Sequence, residues 1–338
     1  KDLDKSFYPL NWLTPHTQIT QDRVPIEIAR GCPNSCTFCQ ARSFYFPYRQ
    51  KKTSTIKHMV EKIYDNTGYE NFSFLSLSAS DHSSIKDIIS DSYEYCNERR
   101  IGLALPSLRV DDILGELNKQ LSSLKKTSIT VAVEAATNRL RETLNKKIDI
   151  TKLFEAAKLI RSLNIKHIKL YFMFGFPDES AEDLHAIGQF LNILRKNSKL
   201  SLNVSINVFI PKPYSLWEGV KMEEESILES KKQIILKSLP KTRNIKVSIS
   251  NIRKSILEGI VSRADRKFAS VIYRAFLKGA RFDGSKENFS WKIWDESMLE
   301  EGINYTQYLN YKTKNFPWSF IKTNSGCKIQ DIEEGRQE

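Results

Sequence analysis

The 338-residue sequence predicts an α/β fold in which a parallel sheet carries helices on its outside. Three observations predict it. Short apolar, β-branched runs alternate with segments of helical period, six times over. At 40% apolar and 27% charged residues, the composition is that of a globular chain and not a disordered one. The longest apolar runs fall far short of the ~20 residues that span a bilayer, so no membrane helix is expected. The length suggests about two domains, or one large barrel with an appendage.

The elements follow in order. VPIEIA at 24–29 is the first strand. The segment after it, RGCPNSCTFCQAR, holds Pro33, Asn34 and Ser35 in a row, which marks a loop. Further strands are expected at 72–77, 101–105, 128–133, 167–173 and 202–210. Helices are expected at 55–66, 84–99, 111–123, 151–163, 180–196 and 223–238. Asp111 and Thr151 are candidate caps, and Ser180 with the acidic pair Glu182–Asp183 starts a further helix. Beyond them a strand at 245–250 precedes one long basic helix at 253–278. Its apolar side is expected to carry Val261, Phe268, Ile272, Ala275 and Phe276. No tandem repeat or low-complexity tract appears, and the N-terminus lacks the pattern of a secretory leader.

The charge is uneven. Of 52 basic and 40 acidic residues, the segment 231–286 holds 15 Lys and Arg against Glu258, Asp265 and Asp283. That segment carries the whole +12, and the remainder is neutral. A basic block of this kind is the electrostatic footprint of a polyanion binder. It is equally what a solvated basic face looks like, and the chain after Lys286 turns acidic enough to neutralise it.

Five cysteines are present, three within eight residues: Cys32, Cys36 and Cys39. An odd, clustered set is a poor disulfide framework and suggests a metal or cluster site in a reducing compartment. Three thiolates suit three irons of a [4Fe–4S] cluster, leaving the fourth iron open to a small molecule. Zinc would need a fourth ligand, with Cys96 or His58 as candidates. Cys96 sits in an amphipathic helical pattern and reads as a small buried hydrophobe.

C-x3-C-x2-C, with Phe38 directly before the last cysteine and a strand before the first, resembles the signature of radical S-adenosylmethionine (SAM) enzymes. Within that superfamily the chain is most similar to an uncharacterised branch of cobalamin-binding-domain radical SAM proteins, often joined to a domain of unknown function. The stretches IEIARGCPNSCTFCQAR, TGYENFSFLSLSASD, LPSLRVD, VEAATNRLRETLNK, IKLYFMFGFPDE, FIPKP and SRADRKFASVIYRAFLKGARFDG carry that likeness, with FPW near Phe316. The resemblance implies a partial (βα)6 TIM-like barrel over 24–240, an N-terminal extension at 1–23 and a mainly helical, basic accessory region at 241–338. It implies that Cys32, Cys36 and Cys39 ligate a [4Fe–4S] cluster. The open iron would chelate SAM, and one electron would cleave the sulfonium to methionine and a 5′-deoxyadenosyl radical.

Relatives in the branch commonly carry a cobalamin domain ahead of the barrel. Only 31 residues precede Cys32, too few for that domain, so cobalamin is not expected within this chain. Relatives also often continue into a cysteine-rich tail. Only Cys327 lies near the end, so a second cluster is not expected.

The resemblance also implies roles for single residues, each with a structural alternative. Phe38 would lie beside the adenine. Ser78, Ser80 and Asp81, in place of the usual Gly-Gly-Glu, would hold the SAM amino group; the alternative is a turn with Asp81 as helix cap. Glu134, in an apolar strand, would meet the ribose or amino group; the alternative is an ion pair with Arg139 or Arg141. Gly175 would let backbone approach the adenine. Three candidates face substrate. Lys169 shares a strand face with Tyr171 and Met173. Arg109 can anchor a carboxylate or phosphate, or form a salt bridge. Lys212, in FIPKP, can meet a phosphate, or belong to a rigid loop closing the barrel.

The leading expectation is an enzyme that modifies RNA or an RNA-bound protein by methyl or methylthio transfer, with 231–286 gripping RNA. Radical chemistry on a small metabolite, with a separate cobalamin partner, is the second. A non-catalytic, metal-containing RNA-binding module is the third. Flavodoxin or ferredoxin is the expected reductant and the cytoplasm the expected location. Nothing in the sequence sets an oligomeric state.

Overall fold

The computed structural model describes residues 2–104, 128–162, 165–285, 287–311 and 316–323. Strand and helix alternate as the patterning expects. β1 (Val24–Glu27), β4 (Asn71–Leu75) and β5 (Gly102–Ala104) form one parallel sheet, with β4 in the middle. β6 (Ser128–Glu134), β7 (His167–Phe174), β8 (Ser201–Val208) and β9 (Ile245–Ile249) form a second parallel sheet in that order. A short antiparallel pair, β2 (Ala29–Arg30) with β3 (Arg49–Gln50), flanks the cysteine segment. The first expected strand is therefore interrupted at Ile28, whose backbone N–H bonds Leu75 O and whose carbonyl accepts from Lys51 N.

The helices that return the chain between parallel strands are α2 (Thr53–Thr67), α3 (Ile85–Glu98), α5 (Ile150–Ser162), α6 (Ala181–Ser198) and α7 (Glu225–Ser238). Short helices α1 (Ala41–Phe44) and α4 (Asn138–Thr143) lie beside the loops. In β8 every second residue is buried, Leu202 through Val208, and β7 follows the same rule. These apolar faces pack on the helices, Phe172 of β7 meeting Phe190 of α6 edge to face at 5.5 Å. Burying a side chain of that size stabilises the fold by roughly 1.5–3 kcal/mol. Gly188 on α6 lets α7 come close: a Cβ there would collide with the Ser238 carbonyl. Ser180 forms a capping box with Asp183, as its sequence context indicates.

Several expectations are corrected. Helix α5 begins one residue early, and its first turn is capped by Asp149, whose Oδ1 accepts from Thr151 N and Lys152 N at 2.9 and 3.1 Å; Thr151 is not the cap. The single helix expected at 253–278 is two, α8 (Ile252–Arg263) and α9 (Phe268–Leu277). Ala264 turns extended (ψ 157°). Arg263, fully buried, is held by the carbonyls of Leu309 and Glu218, and Asp265 Oδ1 accepts from Lys267 N and the Tyr308 hydroxyl. These tertiary bonds outweigh local helical period. The expected apolar side also fails: Phe268 and Ala275 are buried, but Val261, Ile272 and Phe276 are exposed, and Val271 takes their place. α10 (Trp291–Glu300) and α11 (Thr306–Leu309) complete a helical C-terminal region. The helix expected at 111–123, with Asp111 and Arg109, and Cys327 lie outside the described residues. No helix among the described residues is long and apolar enough to cross a membrane.

Candidate functional site

Parallel β/α folds place their sites at the C-terminal ends of strands. The cysteine loop stands there, just past β2. Gly31 opens it with φ +90°, a conformation other residues rarely adopt. A side chain at that point would also press on the Tyr45 carbonyl at 2.7 Å. Cys32, Cys36 and Cys39 are half-buried free thiols, and Cys39 N bonds Cys36 O at 3.1 Å.

The loop is tied to distant chain. Thr37 N donates to Leu144 O, and Thr37 O accepts from Trp217 N, both at 3.1 Å. Asn145 Nδ2 bonds the carbonyl and hydroxyl of Ser35 at 3.1 and 2.6 Å. Asn34 Nδ2 lies 3.3 Å from Cys32 Sγ and donates to Asp81 Oδ2 at 2.6 Å. Asp81 is thus drawn to the cysteines; it belongs to a 3-10 turn, Ala79–Asp81, begun by Ser78. α3 starts at Ser84 without a side-chain cap.

Glu134 ends β6 at a bulge, in a left-handed conformation (φ +67°) that a non-glycine residue holds only at a cost. Burial pushes its carboxyl above the ordinary range, and Lys146, 3.9 Å away, opposes that. Arg139 and Arg141 are not its partners. Arg139 pairs with Asp183, and Arg141 serves the carbonyls of Ala135 and Ala136. Cys36 shares this environment. Burial raises its thiol pKa, Lys146 lowers it, and the charges of Cys39, Cys32 and Glu134 raise it again. Phe38 packs on an apolar group of Ala135, Leu140, Leu144, Phe176 and Phe209, beside Met173 and Trp217.

Gly175 follows β7 with φ +86°. Its N–H donates to Glu179 Oε2 at 2.7 Å, and Lys231 of α7 pairs with the same oxygen at 3.1 Å. Cys32, Cys36, Cys39, Phe38, Asp81 and Glu134 are therefore gathered by direct contacts or shared electrostatics. Lys169 lies on the opposite face of β7 from its buried residues. Lys212 is ion-paired to Glu258 at 2.6 Å. Asn34 was read from sequence only as a loop residue, and Asn145 and Lys146 were given no role. Asn145 and Lys146 meet the site only through tertiary contact, and nothing local marks them. Glu179 did carry a signal, since it follows the FGFPD turn whose first amide it receives.

The thiol set fits an iron–sulfur cluster. Three half-buried thiols, with Cys36 close enough to feel both Cys32 and Cys39 and none paired in a disulfide, offer one ligand to each of three irons. Among the described residues no three His, Cys, Asp or Glu side chains converge on a single-ion site. Cys96 is buried at 2% exposure in α3.

A parallel α/β protein with a three-thiol loop at the strand ends is one class of cofactor-using protein. Residues 26–191 match the Radical SAM superfamily, and the chain carries a domain of that superfamily, whose members are enzymes. The superfamily implies a [4Fe–4S] cluster and SAM. An uncharacterised protein of Methanocaldococcus jannaschii is 30% identical over 251 residues, 73% of this chain and 53% of that protein. Ribosomal protein uS12 methylthiotransferase RimO of Desulfotalea psychrophila is 22% identical over 289 residues, 78% of this chain and 62% of that protein. The chain thus spans about half to three fifths of these relatives. Among solved structures, the radical SAM methyltransferase TsrM from Kitasatospora setae, with cobalamin and [4Fe–4S] cluster bound, is 13% identical. Its TM-score is 0.48 over 60% of this chain and 38% of that one.

The basic block is internally engaged. Lys231 pairs with Glu179 and Glu223, Lys232 with Glu229, and Arg253 with Glu225. Arg274 pairs with Glu300 and Glu301, and Lys278 with Glu296 and Glu300. Every one of these carboxylates lies outside 231–286. Lys237, Lys241, Arg243, Arg266 and Lys267 are exposed and carry no ion pair among the described residues.

Proposed function

We propose that the protein is a radical SAM enzyme acting by a methyl or methylthio transfer type of reaction. The cysteine loop, half-buried at the strand ends and tied to Asp81, to Leu144 and Asn145, and to Trp217, is the observation that carries the radical SAM part of this reading. Cys32, Cys36 and Cys39 would hold the [4Fe–4S] cluster, which when bound supplies the electron that cleaves SAM to methionine and a 5′-deoxyadenosyl radical. Glu134 presents a mostly buried carboxylate able to accept from an amino or hydroxyl group. Asp81, with Ser78 and Ser80 in the same turn, offers a second polar contact beside Cys32. Phe38 supplies an apolar wall, and the Gly175 turn lets backbone come close without a side chain. A small reduced flavin or iron–sulfur protein, flavodoxin or ferredoxin, would supply the electron, and a cytoplasmic location suits reduced thiols.

A substrate that is RNA or an RNA-bound protein is supported by the uS12 methylthiotransferase relatives and by the unpaired cations of 231–286. The pairing of Lys231, Lys232, Arg253, Arg274 and Lys278 removes much of the expected grip and favours the second reading, radical chemistry on a small metabolite. Anaerobic reconstitution with iron and sulfide, reduction, and assay of 5′-deoxyadenosine tests the chemistry. Wild type should make it, and Cys36→Ala should lose both iron and product. Zinc without iron, and no 5′-deoxyadenosine, would overturn the proposal.

A further inference from the structure

Parallel sheets are as a rule buried on both faces, and their strands then read as continuous apolar runs. β7, β8 and β9 do not. Ile168, Leu170, Phe172, Leu202, Val204 and Ile206 are buried on one face, toward the helices. The opposite face carries Lys169 and Tyr171 on β7, Asn203 and Ser205 on β8, and Lys246 and Ser248 on β9. The parallel register sets them side by side in two rows, Lys169–Asn203–Lys246 and Tyr171–Ser205–Ser248. With strands about 4.8 Å apart, the lysine stems stand roughly 10 Å from each other across Asn203.

These six residues line an open cleft of about 330 Å³. Neither lysine has an ion pair among the described residues, and on β6 the rows continue into Thr130 and Ala132, so no carboxylate stands in them. Packing does not account for this face, because barrel interiors are normally filled with Val, Ile and Leu. Two cations in one cleft repel each other unless an anion lies between them.

We infer that this cleft binds a small molecule through a phosphate or carboxylate group held between Lys169 and Lys246 and hydrogen-bonded by Asn203. Flexible four-carbon stems let both ammonium groups reach one anion. Tyr171, Ser205 and Ser248 meet the neutral polar part of the ligand. The cleft's size is that of a small-molecule pocket and excludes a nucleic acid helix. In taking this molecule as substrate, the inference rests on the radical SAM reading above. The binding itself does not.

The test is calorimetric titration of the full chain, under low salt and without SAM, with inorganic pyrophosphate and separately with succinate. One saturable site is expected. Tighter binding of pyrophosphate assigns a phosphate-bearing ligand, and of succinate a carboxylate. Lys169→Met and Lys246→Met, which keep the stem, should each weaken it about tenfold or more. Lys237→Met, in the basic block but off the cleft, should leave it unchanged. As a second measurement on wild type, pyrophosphate should protect Lys169 and Lys246 from reductive methylation, read by peptide mass spectrometry. No saturable binding of either anion, equal weakening in all three variants, or unprotected lysines would overturn the inference. Because the titration needs neither cluster nor SAM turnover, its failure is distinct from failure to make 5′-deoxyadenosine.

Discussion

Glu179→Gln is the substitution whose consequence is most fully set by the structure. The Glu179 side chain is 1% exposed, accepts from Gly175 N at 2.7 Å and pairs with Lys231 at 3.1 Å. Burial raises its pKa from an ordinary 4.5 to about 7, with Lys231 and the Gly175 amide opposing the rise. Between those two values the unfolded chain has released this proton and the folded chain still holds it. Folding therefore takes up a proton there, and the group's stabilisation, full below pH 4.5, is lost as pH rises toward 7. A rise of that size corresponds to about 3 kcal/mol. Gln keeps an oxygen for the Gly175 amide but does not titrate. Whatever its constant offset, the variant should gain on wild type by about 3 kcal/mol as pH rises from 4.5 to 7.5, and by nothing further above that. Urea midpoints for both proteins at half-unit pH steps read this difference directly. Parallel stability curves from pH 5 to 7.5 would refute the reasoning, since they would mean that Glu179 is ionised at an ordinary pKa.

Other outcomes follow from single contacts. Gly188→Ala should lose roughly 3 kcal/mol or more in urea denaturation, because the new methyl meets the Ser238 backbone and not a movable side chain. Cys96→Ala should cost about 1 kcal/mol and leave the iron content of the reconstituted protein unchanged, since Cys96 is a buried residue of α3 outside the cysteine loop. Tyr214→Phe removes the hydroxyl that donates to Trp318 O and Ile321 O at 2.5 and 2.7 Å. Limited proteolysis should then cleave the 316–323 segment faster than in wild type; equal rates would mean that these bonds do not hold it.

The α/β architecture was legible because period and burial coincide. β7 and β8 alternate strictly between a buried and an open face, which is the pattern a sequence displays without knowledge of partners. The cysteine loop was legible for a related reason, as ligand spacing is a property of eight consecutive residues. What the sequence hid is tertiary. A single helix at 253–278 satisfies local period, yet buried Arg263 answers to carbonyls of Leu309 and Glu218, 46 and 45 residues away. The Glu134 bulge and its positive φ have no one-dimensional mark. Neither does the neutralisation of the basic block, because Arg274 and Lys278 on α9 find their carboxylates on α10 and at Glu301, only once the two helices pack.

The cysteine loop also keeps its shape through distant chain. A half-buried loop of Pro, Asn and Ser has little core of its own, so its conformation has to be imposed by backbone bonds. Thr37 provides two of these in opposite directions, to Leu144 beyond α4 and to Trp217 beyond β8. Trp217 packs on Phe209 and Phe176 at 5.4 and 6.0 Å, and Phe38 packs on that same apolar group. On the far side of this segment, Glu218 accepts from Tyr214 N and from Trp318 Nε1 at 2.7 and 2.9 Å, and Ser43 donates to Tyr214 O at 2.6 Å. The cysteine loop with α1 after it, the FIPKP segment and residues 316–323 are thus linked through Tyr214 and Trp217. A displacement of the FIPKP segment by a ligand has to stretch the Thr37 bond or carry the cysteine loop with it. The spacing of the thiols is written locally, but their placement depends on chain more than a hundred residues distant.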